Sequence, residues 1–89
     1  SGMTGLRLRV RGFLSLHLQE RPLSEDQTMR QIDEDWWELR ATVPESQQLE
    51  WWLRWFGAQV EVLAPARLRL KMAANAHEVD TIYAPDLQK

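Results

Sequence analysis

Apolar and polar positions alternate along this chain with two different periods, and the switches between them outline its elements. From Leu6 the order Leu-Arg-Leu-Arg-Val-Arg puts Leu6, Leu8 and Val10 on one face and Arg7, Arg9 and Arg11 on the other. A period of two of this kind marks a half-buried strand. Gly12 breaks it, and Phe13, Leu14, His17 and Leu18 recur at helical spacing until Pro22 stops the segment. Ser24 to Gln27 is polar and turn-like. Thr28 to Asp33 predicts a second strand, with Met29 and Gln31 on one side and Thr28, Arg30 and Ile32 on the other; the apolar Ile32 favours turning its own set inward. Glu34 and Asp35 form the turn of a hairpin. Trp37, Leu39, Ala41 and Val43 then alternate with Trp36, Glu38, Arg40 and Thr42 as a third strand, which Pro44 ends.

The stretch from Leu49 to Pro65 carries a helix, its stop signal and a strand in one continuous piece. Leu49, Trp52, Leu53 and Phe56 follow the i, i+3, i+4, i+7 pattern of a core-facing stripe, with Ser46 as N-cap and Glu50 in the first turn. Gly57 can take the left-handed conformation that caps a helix C-terminus without a Cβ penalty, and Val60, Val62 and Ala64 resume at a period of two. After Pro65, Ala66 to Tyr83 predicts a third helix with Leu68, Met72, Val79, Ile82 and Tyr83 on an intermittent apolar face. The order is that of an α+β fold of ferredoxin-like βαββαβ type: a four-stranded antiparallel sheet, two helices on one face and an added C-terminal helix.

A length of 89 residues with 44% hydrophobic content makes one domain with one core. Ser1 to Met3 read as a cloning remnant, residues 4–83 as the domain and residues 84–89 as a flexible tail, the whole being a piece cut from a longer protein unless the native chain starts at Met3. The net charge of −2 provides no overall field that would draw the domain onto nucleic acid. There is no cysteine, which removes disulfides and thiolate metal sites. The apolar runs are far shorter than a membrane span, so a cytoplasmic setting is expected, with no membrane partner.

Trp52-Leu53 to Phe56-Gly57, then Val60-Glu61-Val62-Leu63, Pro65 and Leu68-Arg69 resemble the C-terminal signature of WYL-domain regulators, the module called the WCX domain. Leu6 to Arg9, Glu20 to Leu23 and Trp37 to Leu39 match its opening, so the resemblance spans about Leu6 to Tyr83. It implies a bacterial transcription regulator with an N-terminal winged helix and a central WYL domain, neither of which is in this sequence. It further implies dimer formation with a second copy, and help to the neighbouring WYL domain in sensing a nucleotide or nucleic-acid effector, with no operator contact by this part. The alternative is a stand-alone ferredoxin-like ligand- or protein-binding domain. The length of the parent reading frame separates the two.

Trp51 and Trp55 depart from the family pattern. By the 100° rule they lie about 160° and about 120° from the centre of the core stripe. Either the last helix packs over them, or they form a subunit or interdomain contact. Arg7, Arg9 and Arg40 project from one sheet face, where three guanidiniums are candidates for binding a phosphate-bearing ligand; cross-strand pairing with Glu38 and Glu61 is the competing reading of the same pattern. His17 and His77 have no acidic partner at ligand spacing, so no metal or other cofactor is expected. No nucleophile triad or glycine-rich phosphate loop occurs, and the chain reads as a non-enzyme.

Overall fold

The computed structural model describes residues 2–88. Its elements follow in the order β1 (Met3–Arg11), α1 (Gly12–Glu20), β2 (Thr28–Gln31), β3 (Trp36–Pro44), α2 (Gln47–Phe56), β4 (Val60–Ala64) and α3 (Ala66–Leu87), a mixed α+β fold. The strands form a single antiparallel sheet in the order β2-β3-β1-β4. β1 and β3 make its centre, paired over their whole length from Met3 with Pro44 to Arg11 with Trp36. Met3 is therefore part of the sheet, and Ser1 lies outside the described residues.

Side chains on successive strand residues point to opposite faces, and here one face is almost wholly apolar. Leu6, Leu8 and Val10 of β1, Leu39, Ala41 and Val43 of β3 and Val62 of β4 are buried with Leu14 and Leu18 of α1, Leu53 of α2 and Leu68 of α3 in one core. Leu49, Trp52 and Phe56 of α2 pack at its margin, Trp52 meeting Phe56 edge-on with ring centroids 5.1 Å apart. The stripe at positions 49, 52, 53 and 56 is thus the side of α2 that faces the sheet.

β2 reverses the expected facing. It is four residues long, and its register sets Met29 against Leu39 and Arg30 against Glu38. A strand this short takes its facing from the partner, and the partner buries Leu39; Met29 therefore goes inward, while Thr28 and Arg30 go outward. Ile32 lies beyond the strand and is exposed, because the carboxylate of Asp33 accepts from the amides of Asp35 and Trp36, both at 2.8 Å, and closes the turn there. On the other side of β2 the Asp26 carboxylate accepts from the Ser24 hydroxyl and, at 3.0 Å, from the Thr42 amide. Those bonds hold its pKa down at about 2, the Ser24 contact being the largest cause.

α2 begins as its sequence indicates, the Ser46 hydroxyl accepting from the Leu49 amide at 3.1 Å. Gly57 ends it at φ 53°, ψ −121°, the mirror image of the extended region and not the left-handed helical cap expected. The chain then makes a 3-10 turn over Gly57–Gln59 before β4. That turn serves α1: no side chain of α1's own N-cap, Arg11, bonds the helix, and the Gln59 side chain instead accepts from the Leu14 amide at 2.9 Å. A Cβ built on Gly57 meets no atom within 4 Å, so any penalty there is conformational. Gly57→Val should lower stability by about 1 kcal/mol or more, read as a shifted urea midpoint. An unchanged midpoint would mean that the positive φ is not required.

α3 packs through Leu68 and Met72 and then runs on with Val79, Ile82, Tyr83 and Leu87 exposed. It continues past Tyr83 to Leu87, so the stretch read as a separate tail is helical up to that point, while Lys89 lies outside the described residues. Pro85 lies in the last turn of α3 and supplies no intrahelical amide bond there.

Candidate functional site

The uncovered sheet face collects arginine. β1 presents Arg7, Arg9 and Arg11, β2 presents Arg30, and β3 presents Trp36 and Arg40, while the acids among them are Glu38 of β3 and Glu61 of β4. Arg69 reaches in from α3. The face is cationic on a chain of net charge −2, so its charge is local and not an outcome of overall composition.

Two groups divide it. In the first, the Arg7 Nε and one terminal nitrogen lie 2.7 Å from the same oxygen of Glu38, an Arg30 terminal nitrogen lies 3.2 Å from the other oxygen, and the Arg40 Nε stands 3.7 Å away. The Glu38 side chain is only 7% exposed, against 72% for Arg30 and 63% for Arg40. Its carboxyl is held below the usual range, first by the hydrogen bond from Arg7 and then by that from Arg30, against the opposing effect of burial. In the second group Glu61 accepts from Arg9 at 3.0 Å and from Arg69 at 2.8 Å, and its pKa is also lowered, with Arg69 the largest cause. The guanidiniums of Arg9 and Arg11 lie over the Trp36 ring, 4.3 and 4.6 Å from its centroid.

All three arginines singled out in the sequence sit on this face, but they do not converge on one point. Arg7 and Arg40 share Glu38, and Arg9 belongs with Glu61 and Trp36. Arg7 and Arg9 each hydrogen-bond a carboxylate, whereas among the described residues the Arg40 guanidinium makes only the 3.7 Å contact with Glu38. Sequence reasoning missed Arg30, because the facing of β2 was reversed. The signal that could have found it is the hairpin itself, whose turn at Asp33 sets Arg30 opposite Glu38.

A second surface is apolar. Trp51 is 58% and Trp55 82% exposed, so α3 does not pack over them. α3 instead flanks an open groove of about 650 Å³ against the end of α2 and β4, lined by Leu53, Val60, Met72, Val79 and Tyr83 among others and by neither tryptophan. Among the described residues no helix is long and apolar enough to cross a membrane.

The small α+β domain thus leaves one charged sheet face and one aromatic helix face uncovered. The chain belongs to the WCX domain family, whose match covers residues 5–79; the WCX domain is the C-terminal domain of WYL-type regulators. Among curated proteins, none matches it.

Proposed function

We propose that this domain is the effector-sensing and self-association module of a WYL-type DNA-binding transcription regulator in the bacterial cytoplasm. It acts by binding and not by catalysis, and leaves operator contact to the winged helix of the parent chain. Its βαββαβ order, with β1 and β3 central, reads as the ferredoxin-like arrangement, in which the helices cover one sheet face and leave the other for a neighbour. The single observation that carries the reading is the uncovered arginine face, whose Arg30 and Arg40 guanidiniums remain largely in solvent beside a buried carboxylate. A face of that kind suits an anionic effector held between this sheet and the WYL domain. Exposed Trp51 and Trp55 supply the surface for a second copy.

Deleting residues 4–88 from the parent regulator tests this. The truncated protein should still bind operator DNA but should lose the change in operator affinity that the effector brings about. An effector response equal to that of the full-length protein would overturn the reading.

A further inference from the structure

The arginine face contains a pairing that antiparallel sheets ordinarily avoid. Arg7 of β1 and Arg40 of β3 are direct cross-strand partners, and Arg30 of β2 stands opposite Glu38, two residues along β3 from Arg40. Like charges directly opposed across two strands destabilise the pair. One carboxylate serves all three guanidiniums, which leaves two positive charges in excess at one spot. A sequence that breaks a local rule without full compensation tends to do so where it functions.

The three arginines are not equally engaged. Arg7 spends its Nε and one terminal nitrogen on Glu38, Arg30 gives it one terminal nitrogen, and Arg40 stands beyond hydrogen-bond reach. A guanidinium has five N–H donors in a fixed fork that matches pairs of oxygens on carboxylate or phosphate. Arg30 and Arg40 therefore retain most of their forks, exposed at the rim of a shallow pocket of about 300 Å³ that Thr28, Met29 and Glu38 also line. Thr28 is the direct partner of Arg40 on β2, which places its hydroxyl on the same face.

We infer that Arg30 and Arg40, backed by Arg7 and Glu38, form a receptor for a terminal phosphate group, a phosphate monoester in its dianionic form. The excess of two positive charges matches the charge of about −1.5 to −2 that a monoester carries at neutral pH. A monoester also offers three free oxygens, enough for both forks and the Thr28 hydroxyl, whereas a diester offers two and a single charge. Glu38 takes no part in ligand contact; it holds Arg7 and Arg30 in place and sets the charge of the site. The inference rests on the reading of this face as the effector-contacting one, and gives that effector a terminal phosphate.

The test is a titration of the domain with phenyl phosphate at pH 7.5, followed through the arginine Nε–Hε nuclear magnetic resonance signals, with dimethyl phosphate as the diester control. Phenyl phosphate should shift the Arg30 and Arg40 signals saturably, and dimethyl phosphate should bind about tenfold or more weakly. Arg40→Met should weaken phenyl phosphate binding by about tenfold, Arg40→Lys by less because it keeps the charge and loses the fork, and Arg21→Met, beyond the end of α1, not at all. The backbone amide spectra of the variants show whether each is folded, and Arg30→Met provides a second reading of the same site. Shifts that fail to saturate, equal binding of both esters, or full binding by folded Arg40→Met and Arg30→Met would each overturn the receptor. Those failures leave the regulatory reading standing, since that is decided by the effector response of the truncated regulator.

Discussion

Leu39→Ala is expected to cost about 2–5 kcal/mol, a large share of the roughly 5–15 kcal/mol that holds a domain folded. Leu39 is 0% exposed at the middle of β3. It faces Leu8 on one side and Met29 on the other, so it is the side chain through which β1, β3 and β2 share one core. Removing its isobutyl group leaves a cavity between strands that full-length pairing prevents from collapsing. Leu16→Ala is the matched control: the same atoms are lost from α1 at a site 61% exposed, where the effect should lie within about 0.5 kcal/mol. Urea denaturation of both variants measures the difference. Equal midpoints would mean that the core is not centred on the sheet.

The second large effect is on self-association. Trp51 and Trp55 are neighbours one turn apart on the face of α2 turned away from the core, with 58% and 82% of their surfaces in solvent. Buried aromatic anchors at interface centres typically contribute about 2 kcal/mol or more each, so removing both should weaken association by several hundred-fold or more, at about tenfold per 1.4 kcal/mol. Wild-type domain should therefore sediment with the mass of a dimer at high micromolar concentration, and Trp51→Ala with Trp55→Ala should sediment as a monomer with little change in melting temperature. A wild-type monomer at that concentration would assign the pair to an interdomain contact instead.

Much of this molecule is legible in the sequence, for reasons that differ from element to element. β1 alternates through its length, and β3 from Leu39 onward, because one of their faces is core and the other is not. The side chains of Leu49, Trp52, Leu53 and Phe56 name the buried face of α2, and Ser46 its start. β2 is the failure: four residues carry too little periodicity to set a face, and Ile32, which biased the choice, lies outside the strand. That one inversion hid Arg30 and so made the Glu38 group look like an ordinary ion pair. The Gln59 contact to α1 was illegible for another reason, since it joins residues 45 apart in sequence with no local signal. Arg7, Arg9 and Arg40 could be placed on one face from the period alone, but their division into two groups depends on where Glu38, Glu61 and Trp36 put their side chains.

The arginine face is expected to take part in binding the effector of the parent regulator. Arg9 is opposite Glu38 in the strand register but turns its side chain to Glu61 and Trp36, so it tests the face separately from the guanidiniums that contact Glu38. Its partly exposed ion pair contributes only about 0–1 kcal/mol to stability, so Arg9→Ala should remain folded. The measurement is a titration of the intact regulator with a nucleotide or short oligonucleotide effector at several salt concentrations, wild type against Arg9→Ala. The variant should bind more weakly, with a shallower fall of log K with log salt, since one fewer phosphate contact releases fewer counterions. Equal affinities with equal salt slopes would contradict it and leave Arg9 as an ion pair with Glu61 on a solvated sheet.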